Sequence, residues 1–227
     1  MDKRRLPLIT PLFALAAVVL RVLPEVSDQL VFVRGGSSVL DLGRLFTCHL
    51  VHWSWEHLLW DALVFTVVGS WCERLDRKAF AIFLATAAIA IPPVVLLVNP
   101  VLGSYAGLSG LDVGAVMFAV SVSLLRQFPV RKQTRMEGRA SGKVSRKPGA
   151  ALPARQAAAR IWFPSLLGIA VVGKVVYELL AGRTVMFDAS ADFIPVPLAH
   201  LVGVCVGAVV AIATVAKNRA VRQDRAA

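Results

Sequence analysis

Apolar residues fall into six long runs separated by polar or charged breaks, near 6–23, 55–72, 79–98, 108–126, 161–180 and 194–216. Each comes close to the roughly 20 residues that an α-helix needs to cross the hydrocarbon core of a bilayer. A backbone amide facing lipid must be satisfied within its own segment, since each orphan costs several kcal/mol, so the runs predict helices. The expected fold is all-α, a six-helix membrane bundle forming a single domain over residues 1–227, with both ends of the chain on one side.

Composition agrees with that pattern. Hydrophobic residues make up 57% of the chain and the mean hydropathy is +0.68, above the apolar share of about 45–50% in soluble domains. The net charge of +11 suits nucleic acid or a topology signal, and the placement of the cations favours the second. Of 25 Lys and Arg residues, 20 lie at the N-terminus, around Arg74 to Lys78, between Arg126 and Arg160, and after residue 216. The intervening loops carry only Arg34, Arg44 and Arg183, while Arg21 and Lys174 lie within apolar runs. By the positive-inside rule both termini are expected in the cytoplasm.

Lys3, Arg4 and Arg5 precede the run Leu6 to Leu23 as in a signal peptide, but no small-x-small site follows, so an uncleaved first span is expected. The basic stretch near 127–160 is expected to be a flexible cytoplasmic loop touching anionic headgroups, each cation near the surface being worth about 1 kcal/mol. Phe128 at its start is its one aromatic residue, so none is interleaved further along to stack bases, which argues against a nucleic-acid partner. The outer loop from Pro24 to Cys48 mixes apolar and charged residues and suits the membrane interface. Cys48, Cys72 and Cys205 lie at mismatched depths, implying neither a disulfide nor a thiolate metal site.

Polar groups inside these runs are the candidate chemistry. Ser109 stands between Gly107 and Gly110 at the outer end of the fourth run, and His200 lies about six residues, or roughly 9 Å, into the sixth. Gly107, Gly110 and Gly114 on one run and Gly203 and Gly207 on the other would let the two helices approach closely. A serine becomes a nucleophile beside a base, and imidazole serves near neutral pH. The reading from packing alone is a plain helix contact with a structural histidine.

A second cluster, His49, His52, Trp53, Trp55, His57 and Asp61, opens the second run. His57 and Asp61 share a helix face at i and i+4. The tryptophans suit the interface. A zinc site would use the same histidines, but the His-Glu-x-x-His order is missing, so no metal is expected and oxyanion donors are the better reading. Asp112, three residues after Ser109, either orients His200 or caps the helix start. Lys174 and Glu178 at i and i+4 read first as a structural pair, with a role in holding substrate as the alternative.

Gly107-Leu108-Ser109-Gly110, His200-Leu201-Val202-Gly203, and His52 with His57 resemble the rhomboid intramembrane serine proteases, over all the runs and in their order. The run from His52 to Asp61 and the continuation Gly110-Leu111-Asp112 look most like the rhombosortases. That resemblance implies a bacterial inner-membrane endopeptidase without cofactor. Its substrate would be a membrane-anchored protein with a C-terminal Gly-Gly-type tail, a transmembrane helix and a basic end, cut near the outer face. It also implies Ser109 as nucleophile, His200 as general base and His57 as an oxyanion donor beside the backbone amide of Ser109. Two positions depart from the family pattern. Asp61 stands where most rhomboids have asparagine, either protonated by burial or holding His57, and Val113 replaces a tyrosine common after the serine. A broader rhomboid protease and an inactive rhomboid-like binder of transmembrane helices are the alternatives.

Overall fold

The computed structural model describes residues 6–36, 38–127, 154–182 and 196–225, with side chains in the segment after 154 described from residue 160 onward. The helices are α1 (Ile9–Val22), α2 (Pro24–Asp28), α3 (Val39–Thr47), α4 (Trp55–Val98), α5 (Ser109–Leu125), α6 (Ala154–Ala181) and α7 (Pro197–Asp224). A 3-10 turn, Cys48–Leu50, links α3 to α4. Two short strands, β1 (Phe32–Val33) and β2 (Ser104–Tyr105), pair antiparallel with Phe32 opposite Tyr105. Positions 128–153, which hold most of the expected basic loop, lie outside the described residues, as do Lys3, Arg4, Arg5 and Arg183.

α4, α6 and α7 are long and apolar enough to cross a membrane, and α1 and α5 are shorter apolar helices. The 44 residues of α4 form two helical arms that meet at Asp76: Phe65 and Phe80, which a straight helix would hold about 22 Å apart, stand with ring centroids at 6.3 Å. The second and third apolar runs are therefore the two arms of α4, which fold back on each other at the place where the sequence predicts a loop. A single residue, Asp76, leaves helical geometry (φ −165°, ψ 94°). Its carboxylate accepts the N–H of Ala79 at 3.2 Å, capping the second half of α4. Arg126 at the end of α5 donates to the carbonyl of Leu75 at 2.9 Å and meets Asp76 at 3.4 Å, so the break is held from outside.

α5 is the centre of the molecule. Leu111, Ala115, Phe118, Ala119 and Val122 are fully enclosed, and α4, α6 and α7 pack around them. A helix apolar on every side is stable only when surrounded. Its ring partners are Phe80 and Phe83 of α4, with Phe83 and Phe118 stacked at a 5.8 Å centroid distance. The outward faces of the other helices carry exposed Leu12, Leu63, Val67, Ile169, Val209 and Ile212, the apolar girdle a lipid-facing bundle presents.

Buried charge fastens the periphery. α1 lacks a side-chain cap of its own, and Glu73 of α4 supplies one. One carboxylate oxygen accepts Thr10 N–H at 2.8 Å and Thr10 Oγ1–H at 2.7 Å, and the other accepts Leu8 N–H at 3.0 Å and Arg77 Nε–H at 3.1 Å. At the opposite end Arg34 donates to the carbonyls of Asn99 (2.7 Å) and Leu102 (3.1 Å) and also to that of Leu96, closing the C-terminus of α4. In α3 the N–H and hydroxyl of Ser38, with Arg44, hold the Asp41 carboxyl below its usual range. The exposed apolar face of this helix, Val39, Leu40, Leu42 and Phe46, fits the expected interfacial segment.

Candidate active site

The turn that delivers Ser109 is built around Gly107. Its φ of +121° is one that a side chain disfavours, and an added Cβ would lie 3.4 Å from Cε1 of His57. The Gly107 N–H donates to the carbonyl of Cys48 at 3.0 Å, and its carbonyl accepts from Tyr105 Oη at 3.5 Å and faces His49 Nδ1 at 3.1 Å. Burial pushes the Tyr105 hydroxyl up and keeps it a donor. Leu111 and Asp112 donate to the carbonyl of Leu108, and α5 begins at Ser109, two residues after Gly107. Ser109 thus occupies the first turn of a helix, where unpaired N–H groups favour negative charge.

His49 ties this turn to α4. Pro92 and Pro93 have no N–H, so the carbonyls of Ala88 and Ile89 lose their helical donors. His49 Nε2 lies 3.3 Å from the Ala88 carbonyl while Nδ1 faces Gly107. Burial lowers His49 to about 4 against the pull of both carbonyls, so the ring is neutral at pH 7 and its single N–H serves one of them at a time.

The helix contact expected from the glycines is tight. A Cβ on Gly110 would meet the Ala199 carbonyl oxygen at 3.0 Å, and one on Gly207 would meet that of Gly114 at 2.3 Å. Ala199 precedes His200 and Gly110 follows Ser109, so the backbones of α5 and α7 touch immediately beside the serine and the histidine. His200 is buried, and its Nδ1 lies 2.6 Å from Oε2 of Glu178 on α6. The other oxygen of Glu178 lies 2.5 Å from Lys174 Nζ.

Residues 40–217 match the Rhomboid domain, which takes in everything from α3 to most of α7. The chain belongs to the rhomboid family. Rhomboids are intramembrane serine proteases acting on membrane-embedded substrates, and this member is accordingly a multi-pass membrane protein. No curated protein matches the chain.

Within this rhomboid the second cluster converges on one carboxylate. Asp61 Oδ2 lies 3.3 Å from His52 Nε2 and 3.2 Å from His57 Nε2, and the two rings pack edge to face at 5.1 Å. His52 Nδ1 faces the carbonyl of Leu50 at 3.1 Å. Ser54 caps α4 by accepting the His57 N–H at 3.1 Å, which sets His57 and Asp61 one turn apart on the inner face. His57 in turn lies against Gly107, so the cluster touches the serine turn.

Not every expected neighbour is in contact. Among the described residues no hydrogen bond joins Ser109 to His200. Asp112 is buried, and its Oδ1 has no hydrogen-bond partner. No hydrogen bond links it to His200 among the described residues, and the place beside Nδ1 belongs to Glu178. Glu178 is the residue that the sequence reading undervalued as a structural pair with Lys174. Its signal was a carboxylate deep in an apolar run, more charge than a lone lysine partner calls for. His49 was visible only as one more histidine of its cluster, and the Pro92-Pro93 pair was the clue to its acceptor.

Proposed function

We propose that this rhomboid is an active intramembrane serine endopeptidase of rhombosortase type, with Ser109 as nucleophile and His200 as general base. It crosses the membrane six times, α4 contributing two spans on either side of Asp76. Both termini face the cytoplasm of a bacterial cell, and the serine opens toward the outer face. The observation that supports this reading is the close backbone approach of Gly110 to Ala199, the residues next to the serine and the histidine, at the start of two adjacent helices.

In the first step the Ser109 hydroxyl gives its proton to Nε2 of His200 as Oγ attacks the scissile carbonyl carbon. The resulting oxyanion is met by the backbone N–H of Ser109 at the helix start and by His57, which Asp61 holds. On collapse the C–N bond breaks and the leaving amine takes the proton from His200. Water, activated by the same imidazole, then releases the acyl group from Oγ.

The substrate is a membrane-anchored protein carrying a C-terminal Gly-Gly-type tail. The test is co-expression with such a substrate. Cleavage should be lost in Ser109→Ala and in His200→Ala, and retained processing in either folded variant would remove the dyad. Equal cleavage of membrane substrates without the tail would point to a general rhomboid protease. Failure of a fluorophosphonate to label wild-type Ser109 would point to an inactive binder of transmembrane helices.

A further inference from the structure

We propose that Glu178 is a positioning residue of the reaction, which orients His200 for Ser109 and stabilises its charged form; this rests on the protease reading above. The Glu178 carboxylate lies on α6 with no exposed surface, in a segment where an unpaired charge is expensive. Among the described residues each of its two oxygens meets a partner. Oε1 takes the ammonium of Lys174 at 2.5 Å and Oε2 takes Nδ1 of His200 at 2.6 Å.

A 2.6 Å separation between Nδ1 and a carboxylate oxygen requires a proton between them. Lys174 sits on the other oxygen and favours the carboxylate charge, so the proton belongs to the imidazole and Nδ1–H donates to Glu178. Lys174 Nζ also approaches Nδ1, at 3.4 Å, but a protonated Nδ1 has no lone pair to offer it, and the shorter contact decides the arrangement.

With its one proton on Nδ1, neutral His200 presents the lone pair of Nε2, the form required of a base for Ser109. When Nε2 receives the serine proton, the imidazolium forms directly against a fixed negative charge. The proton stays on the ring and no further transfer to Glu178 is involved.

A purely structural Lys174 and Glu178 pair would leave the second oxygen to any donor and would gain little from burying it. Here the ammonium is about a quarter exposed (26%) while the carboxylate and the imidazole are enclosed (0% and 5%). The buried half of the network is thus the half that reaches the base. Lys174 supplies countercharge from the wetter side.

The experiment uses the purified full-length protein in detergent and follows the rate of fluorophosphonate labelling at Ser109, with kcat and KM for a tailed substrate. Glu178→Gln keeps the shape and removes the charge. It should slow labelling and lower kcat by about a hundredfold to ten-thousandfold, with KM and the thermal unfolding midpoint little changed. Labelling and turnover within about threefold of wild type would overturn the proposal while leaving the protease reading intact. If wild type does not label, or Ser109→Ala labels equally well, the protease reading fails first and takes this one with it. Should Glu178→Gln not fold, wild type labelled with 15N-histidine gives the answer. One strongly deshielded ring N–H that disappears in His200→Ala is expected, and its absence overturns the assignment.

Discussion

Gly203 and Gly110 meet backbone to backbone: a Cβ on Gly203 would lie 2.0 Å from the carbonyl oxygen of Gly110. Nothing flexible stands there to yield. Gly203→Ala must therefore push α7 away from α5, and overpacking of this kind costs about 1–3 kcal/mol where neighbours relax, more where the neighbour is backbone. We expect a lowered unfolding midpoint in detergent together with loss of cleavage, since the displacement separates His200 from Ser109. Gly173 on α6 is the contrast, with no atom within 4 Å of a Cβ placed on it. Gly173→Ala should leave stability unchanged or raise it by about 0.5–1 kcal/mol. Equal effects of the two substitutions would contradict the packing argument.

Glu73 holds α1 by its first-turn amides rather than by apolar contact alone. Glu73→Ala leaves the Leu8 and Thr10 N–H groups without their acceptor, a loss of about 3 kcal/mol for hydrogen bonds to a charged group. Limited proteolysis should then cut before or within α1 while the segment from α4 to α7 stays resistant. Uniform loss of resistance along the chain would show that Glu73 supports more than α1.

His49 should give stability a slope with pH. Its folded value, about 4, lies below the 6.5 of an ordinary histidine because burial disfavours the charged ring. Above pH 6.5 neither state binds the proton. Between about 6.5 and 4 the unfolded chain binds it and the folded chain does not, so stability falls as pH falls, by up to about 3 kcal/mol. Unfolding midpoints measured from pH 8 to 5 should decline in wild type and decline less in His49→Gln. The same slope in both proteins would assign it to other groups.

Asp61 serves two histidines through one oxygen. Asp61→Asn retains an acceptor for one ring and gains an N–H for the other, so cleavage should stay within about tenfold of wild type, less than the hundredfold or greater effect of losing an oxyanion donor. Asp61→Ala leaves both buried rings without that partner and should lose most activity and some stability. Near-total loss in a well-folded Asp61→Asn would show that the charge itself is needed.

Much of the site was legible because its residue types are costly where they stand. A serine between glycines, a histidine inside an apolar run and a histidine one turn before an aspartate are each visible in one dimension. The residues that were missed or undervalued act across helices. Glu178 is 22 positions from His200 and on another helix, and His49 meets Gly107 from 58 positions away. Nothing in local spacing couples such pairs.

The sequence by itself determined that the chain belongs in a membrane as helices, because apolar length and lipid's intolerance of unpaired amides leave no other regular structure. It also marked Gly107 to Gly110 and Gly203 as places for close approach. Only the tertiary structure decided that the turn between the two arms of α4 narrows to a single residue, Asp76, since Arg126 from α5 holds that break. Only the fold, too, aims Glu178 rather than Asp112 at His200. Which of two carboxylates reaches an imidazole depends on how helices cross and rotate, and those are set by the summed packing of the whole bundle.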